Sequence, residues 1–280
     1  MFKKATQLQI SNKFQMRGVR RTFLYAGVAS AADSKSSWEL EATCGCQLAI
    51  KGVICYFPCM DINELASRID QTMLRPDAAE REMIEFIERS GTLGFATLCV
   101  PPCHVALASR LLGSSKTLVS TVAGFPLGFQ VPGVKLLEAR AAFDDGASEI
   151  DIVMNISRLK SGNASFVAGE IGSIVRVLPE AVIKVIIETC YLSDQEKLAA
   201  LESAVEAGAD FVKTSTGFAA SGAHRRDVEM LTVAARGRIQ VKASGGIKTL
   251  PDALSMIKAG ADRLGTSSGP SILEELKGGV

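Results

Sequence analysis

The sequence predicts an α/β protein, a closed (β/α)8 TIM barrel with an N-terminal extension. From about residue 61 onward, short apolar segments alternate with helical ones, which gives eight β–α pairs through to residue 280. The strand segments are rich in Val and Ile and mostly do not alternate, as parallel strands covered on both faces require. No GxGxxG follows the first strand, which disfavours an open dinucleotide-binding sheet. The expected domain organisation is an extension over 1–60 and a barrel over 61–280.

The elements follow in order. A first strand lies around Arg68 to Thr72, and Pro76-Asp77 opens a helix over 77–90 with Met83, Ile84 and Ile87 on one face. FATLCV (95–100) is the second strand, and Pro101-Pro102 starts a helix running through Leu112. TLVSTVAGF (117–125) is the third, followed after a Gly/Pro-rich loop by a helix over 134–145. SEIDIVMN (148–155) is the fourth, with a helix near 163–177 behind it. VIKVIIE (182–188) is the fifth, and Ser193-Asp194 caps a helix that ends at Gly208. DFVKT (210–214) is the sixth, with a helix over 224–236. IQVKA (239–243) is the seventh, and Pro251-Asp252 begins a helix ending near Gly260. RLGTS (263–267) is the eighth, before a last helix over 269–277.

Composition limits the function. Apolar residues make up 47% of the chain, enough for a substantial core. The balance of 31 basic against 30 acidic residues gives no reason to expect a nucleic acid or a membrane surface as partner. No apolar run approaches the ~18–20 residues of a membrane span. Seven cysteines, an odd number, argue against a disulfide scaffold and for a reducing, cytoplasmic setting. His104 and His224 lack metal-ligand spacing, so no metal site is expected from them. Residues 1–32 contain no acid but include Lys3, Lys4, Lys13, Arg17, Arg20 and Arg21. That pattern suits mitochondrial or plastid import as well as a plain basic tail. Cys44, Cys46, Cys55 and Cys59 are spaced CxC and CxxxC, which matches no strong zinc-finger pattern.

In a closed parallel barrel, chemistry gathers at the C-terminal ends of the strands. The strand exits here carry Asp70 and Thr72, Cys99, Gly124, Asp151 and Asn155, Glu188, Lys213, Lys242, and Gly265 with Ser267. A single strand-end lysine usually snorkels to solvent. Lys213 and Lys242, however, fall near the ends of adjacent strands, which run ~4.8 Å apart. A neighbouring ammonium and burial both depress a lysine pKa, and moving it from about 10.4 toward about 7 costs about 4–5 kcal/mol. Period two places Glu149, Asp151 and Val153 on one side of their strand, so Asp151 needs a cationic partner inside the barrel. ASGGIKT after strand seven and GTSSG after strand eight present backbone N–H groups and hydroxyls where barrels commonly hold a phosphate. Lys248 adds charge nearby. Together these features describe Schiff-base chemistry on a phosphorylated carbonyl compound. Such chemistry needs no metal or organic cofactor, because the imine is itself the electron sink.

EIDIVMNISRLKSG, KVIIETCYL, ADFVKTSTGF, VKASGGIKT and GTSSG resemble, in type and order, the motifs of the deoxyribose-phosphate aldolase family. The likeness runs from about Asp70 to Ile272. It implies a class I aldolase that splits 2-deoxy-D-ribose 5-phosphate into D-glyceraldehyde 3-phosphate and acetaldehyde, reversibly, in deoxyribose phosphate catabolism. By that resemblance Lys213 forms the Schiff base, Lys242 tunes its pKa, and Asp151 acts with a water in proton transfer. Gly217, Gly245, Gly246, Gly265, Ser267 and Ser268 hold the phosphate, while Asp70 and Thr72 contact the sugar. It also implies a small-molecule phosphorylated sugar as partner, and a homodimer. The chain departs from the family pattern in four places. Gln71 stands for a histidine, and Lys248 replaces an arginine and its bidentate fork. His224 replaces a threonine, and the chain closes on Gly278-Gly279-Val280 without the terminal tyrosine of some members. Two other readings remain open from the residues: a related lysine aldolase for another phosphorylated sugar, and an inactive barrel serving as a binding or scaffold protein.

Overall fold

The apolar periodicity of the chain resolves into a closed ring of strands in the computed structural model, which describes residues 49–50, 53–54 and 60–278. The basic segment and the four cysteines between Cys44 and Cys59 lie outside the described residues. A two-residue antiparallel ribbon pairs Ala49–Ile50 with Val53–Ile54. A short helix that the sequence reading did not anticipate, α1 (Ile62–Ala66), precedes the barrel. Asp61 caps it by accepting from the Asn63 N–H.

The ring consists of β1 (Ile69–Thr72), β2 (Thr97–Cys99), β3 (Leu118–Ala123), β4 (Glu149–Val153), β5 (Val182–Ile186), β6 (Phe211–Lys213), β7 (Gln240–Ser244) and β8 (Arg263–Thr266). All neighbours pair parallel, and β8 closes on β1 with Gly265 opposite Asp70. The outer layer is α2 (Glu80–Ser90), α3 (Val105–Leu112), α4 (Pro132–Asp144), α6 (Ala164–Val177), α7 (Asp194–Glu206), α8 (Arg225–Ala235), α9 (Leu250–Lys258) and α10 (Gly269–Gly278). An extra helix, α5 (Ile156–Lys160), sits between β4 and α6 because Asn155 caps it. Ser193 and Thr249 cap α7 and α9 with complete capping boxes, so both helices start where their sequences signal.

The strands have two different faces. Outward residues such as Ile69, Leu98, Ile150, Ile152, Val185, Val212, Val241 and Leu264 join Met83, Ile87, Ile171, Leu201 and Leu231 of the helices in one core. Fully burying each such side chain stabilises the fold by about 1.5–3 kcal/mol. The inward face departs from the expectation of strands apolar on both sides. Asp70, Glu149, Asp151, Lys184, Lys213, Lys242 and Arg263 meet inside the ring. Alternation is therefore present in β4 and β5, but it sorts charge inward and Ile or Val outward.

Candidate active site

The inward residues form one continuous ion network. Lys213 Nζ and Lys242 Nζ each donate to the same oxygen, Asp151 Oδ2, at 2.7 Å. The other oxygen, Oδ1, accepts from Lys184 at 2.7 Å. Lys184 also lies 2.7 Å from Glu149, and Arg263 bridges Asp70 at 2.6 Å and Glu149 at 3.1 Å. Lys242 stands 2.5 Å from Asp70 Oδ2, in ion-pair contact although not aligned as a hydrogen bond. Strand register produces this convergence, since Asp151 pairs with Lys184 across β4–β5 and Lys213 with Lys242 across β6–β7.

Among the described residues the network holds four cations, Lys184, Lys213, Lys242 and Arg263, against three carboxylates, Asp70, Glu149 and Asp151. In a buried site the uncompensated charge is relieved at the lysine with the weakest support. Among the described residues, Lys242 touches two carboxylates and Lys184 three, whereas Lys213 touches only Asp151. Burial pulls the Lys213 pKa down, Asp151 opposes this, and the Lys242 ammonium pushes it down further, leaving it below the ordinary lysine value. Burial acts on Lys242 in the same direction, but Asp151 and Asp70 overcome it and hold its pKa above that value. Burial also works against the Asp151 and Asp70 carboxylates, yet the surrounding cations keep both well below the usual range. The arrangement leaves Lys213 the amine whose proton is held less firmly, beside a Lys242 ammonium that is held more firmly.

The loops above β6, β7 and β8 are tied to one another. Thr214 and Ser244 exchange hydrogen bonds at 3.1 and 3.2 Å, and Ser244 Oγ donates to the Ser215 carbonyl at 2.5 Å. Thr266 Oγ1 donates to the Ile247 carbonyl at 2.6 Å. Gly217, Gly245 and Gly246 have φ of 85°, 87° and 81°, a region that other residues rarely adopt. A Cβ on Gly222 would lie 2.2 Å from the Gly245 carbonyl oxygen, so the β6 and β7 loops touch backbone to backbone. Gly217, Gly246 and Ser267 are exposed at this mouth, with Gly245 and Ser268 half-buried beside them.

Several candidates take places other than those expected. Asp70 is fully buried against Lys242 and Arg263, so its carboxylate is engaged by the cations of the network. Thr72 turns back to donate to the Asp70 carbonyl. Gly265 is also buried, and a Cβ there would lie 3.2 Å from Lys242 Cε and 2.8 Å from Ser244 Cβ. Its absent side chain makes room for the lysine stem. Asn155 caps α5, and the Gly124 N–H donates to Glu138 at 2.7 Å. Cys99 is buried, and burial followed by Asp151 pushes its thiol pKa up, away from nucleophilic use.

Three participants escaped the sequence reading. Lys184 and Arg263 complete the network, and a lysine in the middle of VIKVIIE, inward by period two, was the visible signal for Lys184. Lys135 forms a separate buried pair with Glu170 at 2.9 Å and donates to the Val153 carbonyl at 2.8 Å. It pins α4 and α6 to the end of the strand that carries Asp151. Glu188, named as a strand exit, has φ of 52° and is 1% exposed; its carboxylate accepts from the Thr216 N–H at 3.1 Å and from the Thr216 hydroxyl. A non-glycine residue in that region is strained, and here the strain aims a carboxylate at the Lys213 loop.

A model of the DeoC/LacD family of aldolases matches residues 65–275. A deoxyribose-phosphate aldolase of Aquifex aeolicus is 51% identical over 207 residues, 74% of this chain and 94% of that protein. One from Caldanaerobacter subterraneus subsp. tengcongensis is 48% identical over 216 residues, 76% of this chain and 94% of that protein. Among solved structures, "QR15, an Aldolase" superposes with a TM-score of 0.74 at 49% identity, covering 77% of this chain and 96% of that one.

Proposed function

Because the chain belongs to the DeoC/LacD family of aldolases, we propose that it cleaves 2-deoxy-D-ribose 5-phosphate to D-glyceraldehyde 3-phosphate and acetaldehyde, and catalyses the reverse addition. One observation carries the mechanism: Lys213 is the least supported cation in a network with one cation too many. Its neutral amine adds to the substrate aldehyde, and loss of water gives an iminium. Removal of the C3 hydroxyl proton breaks the C2–C3 bond, and the electron pair flows into the iminium to give an enamine. Glyceraldehyde 3-phosphate leaves, the enamine takes a proton at carbon, and hydrolysis frees acetaldehyde and Lys213. Asp151 and the Lys242 ammonium, 2.7 Å apart, are the groups that hold and pass these protons, with a water as carrier. Gly217, Gly245, Gly246, Ser267 and Ser268 form the phosphate end, supported by the exposure of Gly217, Gly246 and Ser267 at one mouth and by the left-handed glycine turns.

Borohydride reduction in the presence of acetaldehyde, followed by mass spectrometry, tests the assignment. An ethyl adduct on Lys213 is expected, and none with Lys213→Arg. Adduct on another lysine, or no adduct at all, sinks the nucleophile assignment. Trapping without cleavage of deoxyribose 5-phosphate points instead to another phosphorylated sugar. Nothing in the site favours an inactive binding barrel.

The proposal extends to the setting. No helix among the described residues is long and apolar enough to cross a membrane, and a homodimer in the cytoplasm is the assembly we propose. Leu127, Phe129, Val131, Val134 and Leu137, between 49% and 69% exposed along the β3–α4 loop and α4, supply an apolar face for a second copy. Sedimentation at micromolar concentration would show the dimer. Residues 1–60 are proposed to be an appendage to the catalytic unit over 61–280, in keeping with a family match that begins at residue 65.

A further inference from the structure

Gln71 is 3% exposed, and both ends of its amide are used. Its Nε2 donates to the Ser267 carbonyl at 3.1 Å, and its Oε1 accepts from the Gly269 N–H at 2.9 Å. Gln71 pairs in register with Thr266 across the β8–β1 closure, so this amide clasps the turn that leaves β8 and starts α10. The fit is close, because a Cβ on Gly269 would come 2.5 Å from Gln71 Oε1 and 2.8 Å from Phe95 Cζ. Thr266 Oγ1 takes the Ser268 N–H at 2.9 Å from the other side. With the Ser268 and Gly269 N–H groups engaged behind the turn, the Ser267 N–H and the Ser267 and Ser268 hydroxyls are the donors left for an anion.

We infer that Gln71 is a positioning residue for substrate phosphate: it fixes the Ser267–Gly269 turn so that those donors converge on the anion. The inference rests on the phosphate assignment of the preceding subsection. The requirement at this position is specific, namely one donor and one acceptor held together without charge. Leucine has neither. Glutamate accepts from Gly269 but sets an oxygen against the Ser267 carbonyl. Neutral histidine can meet both partners, whereas protonated histidine points an N–H at the Gly269 N–H. Gln71 therefore keeps phosphate recognition independent of pH on the protein side.

The test compares cleavage of deoxyribose 5-phosphate with cleavage of unphosphorylated 2-deoxyribose by the full chain and its Gln71→Leu and Gln71→His variants. Inorganic phosphate serves as a competing probe. For Gln71→Leu, KM for the phosphorylated substrate should rise about tenfold, the loss of one or two hydrogen bonds, with kcat little changed. Its kcat/KM should fall at least about fivefold more on the phosphorylated substrate than on deoxyribose, and inhibition by inorganic phosphate should weaken in step. Gln71→His should match the parent above about pH 8 and lose affinity as pH falls through about 6.5. That profile is read as a ratio to the parent, because the substrate phosphate itself titrates near about 6. Equal losses on both substrates, or a Gln71→His profile parallel to the parent, would overturn the inference even if Gln71→Leu folds poorly. A parent chain with no preference for the phosphorylated substrate would overturn the phosphate assignment first, and this inference with it.

Discussion

Lys213 and Lys242 reach one oxygen of one carboxylate, yet burial and neighbours push their pKa values in opposite directions. The difference lies in second partners: Asp70 stands behind Lys242, and among the described residues no second carboxylate stands behind Lys213. Lys184 sets the balance from below, because it draws Asp151 Oδ1 away from the pair above. Lys184→Met is expected to leave Asp151 more available to Lys213, raising the lysine pKa and moving the acid limb of the kcat/KM profile to higher pH. Removing one partner of so buried an ion network should also cost about 3–5 kcal/mol of stability. An unshifted acid limb in a folded Lys184→Met protein would show that Lys184 is scaffolding only. At this scale the sequence exposed Lys213, Lys242 and Asp151, because charged residues at the ends of apolar strands stand out. It could not show that Asp70 contacts Lys242, since an aspartate two strands away reads the same whether it faces ligand or lysine.

At the scale of elements, the site depends on loops held by side chains from neighbouring strands. Glu188, at the end of β5, captures Thr216 two residues before Phe218, whose N–H in turn donates to Thr216 Oγ1 at 3.0 Å. Phe218 packs edge-on against Phe125 of the β3 loop at 5.2 Å. Glu188→Ala should therefore free the 215–218 segment while the barrel stays intact. Faster hydrogen exchange at the Thr216 and Phe218 amides is expected, with kcat/KM lower by about tenfold or more. Unchanged exchange at those amides would mean that β6 and β7 alone hold the loop. Gly265→Ala tests a neighbouring element: its methyl should displace the Lys242 stem and lower kcat without selectively weakening phosphate inhibition. Helix starts were legible through Ser193 and Pro251-Asp252, because helix-start signals are local; the Thr249 cap itself came from the structure. α1 and α5 were not, since five-residue helices carry too little periodicity to declare themselves.

For the whole molecule, a charged interior means a stability that depends on pH. Asp70 and Asp151 have lowered pKa values in the folded state, so they stabilise it above the ordinary carboxylate value of 3.8. That contribution fades as pH falls through their folded-state values. Lys184, Lys242 and Arg263 are raised, so their contribution is full below their ordinary values and fades as pH climbs through the higher folded ones. Lys213 has the opposite effect: below its ordinary value of 10.5 the unfolded chain binds that proton more readily. Thermal unfolding should show a broad plateau around neutrality with a steep loss in acid. Asp151→Asn should lower the plateau by about 3–5 kcal/mol, roughly 10 °C in Tm for a domain of this size. A variant melting within about 2 °C of the parent would mean that the network relaxes around the lost charge.

By itself the sequence determined the eight-strand alternation, the parallel order and the residues able to carry out Schiff-base chemistry. These are local signals, carried by apolar periodicity, capping residues and unusual charges at strand ends. Only the tertiary structure decided that Asp70 backs Lys242 and not Lys213, that the bare Gly265 leaves room for the Lys242 stem, and that Gln71 clasps the turn after β8. The first and last of these depend on the β8–β1 closure, where Gln71 meets Gly269 198 positions away, and the second on the β7–β8 register. No local pattern encodes such a contact, because it forms when the ring closes.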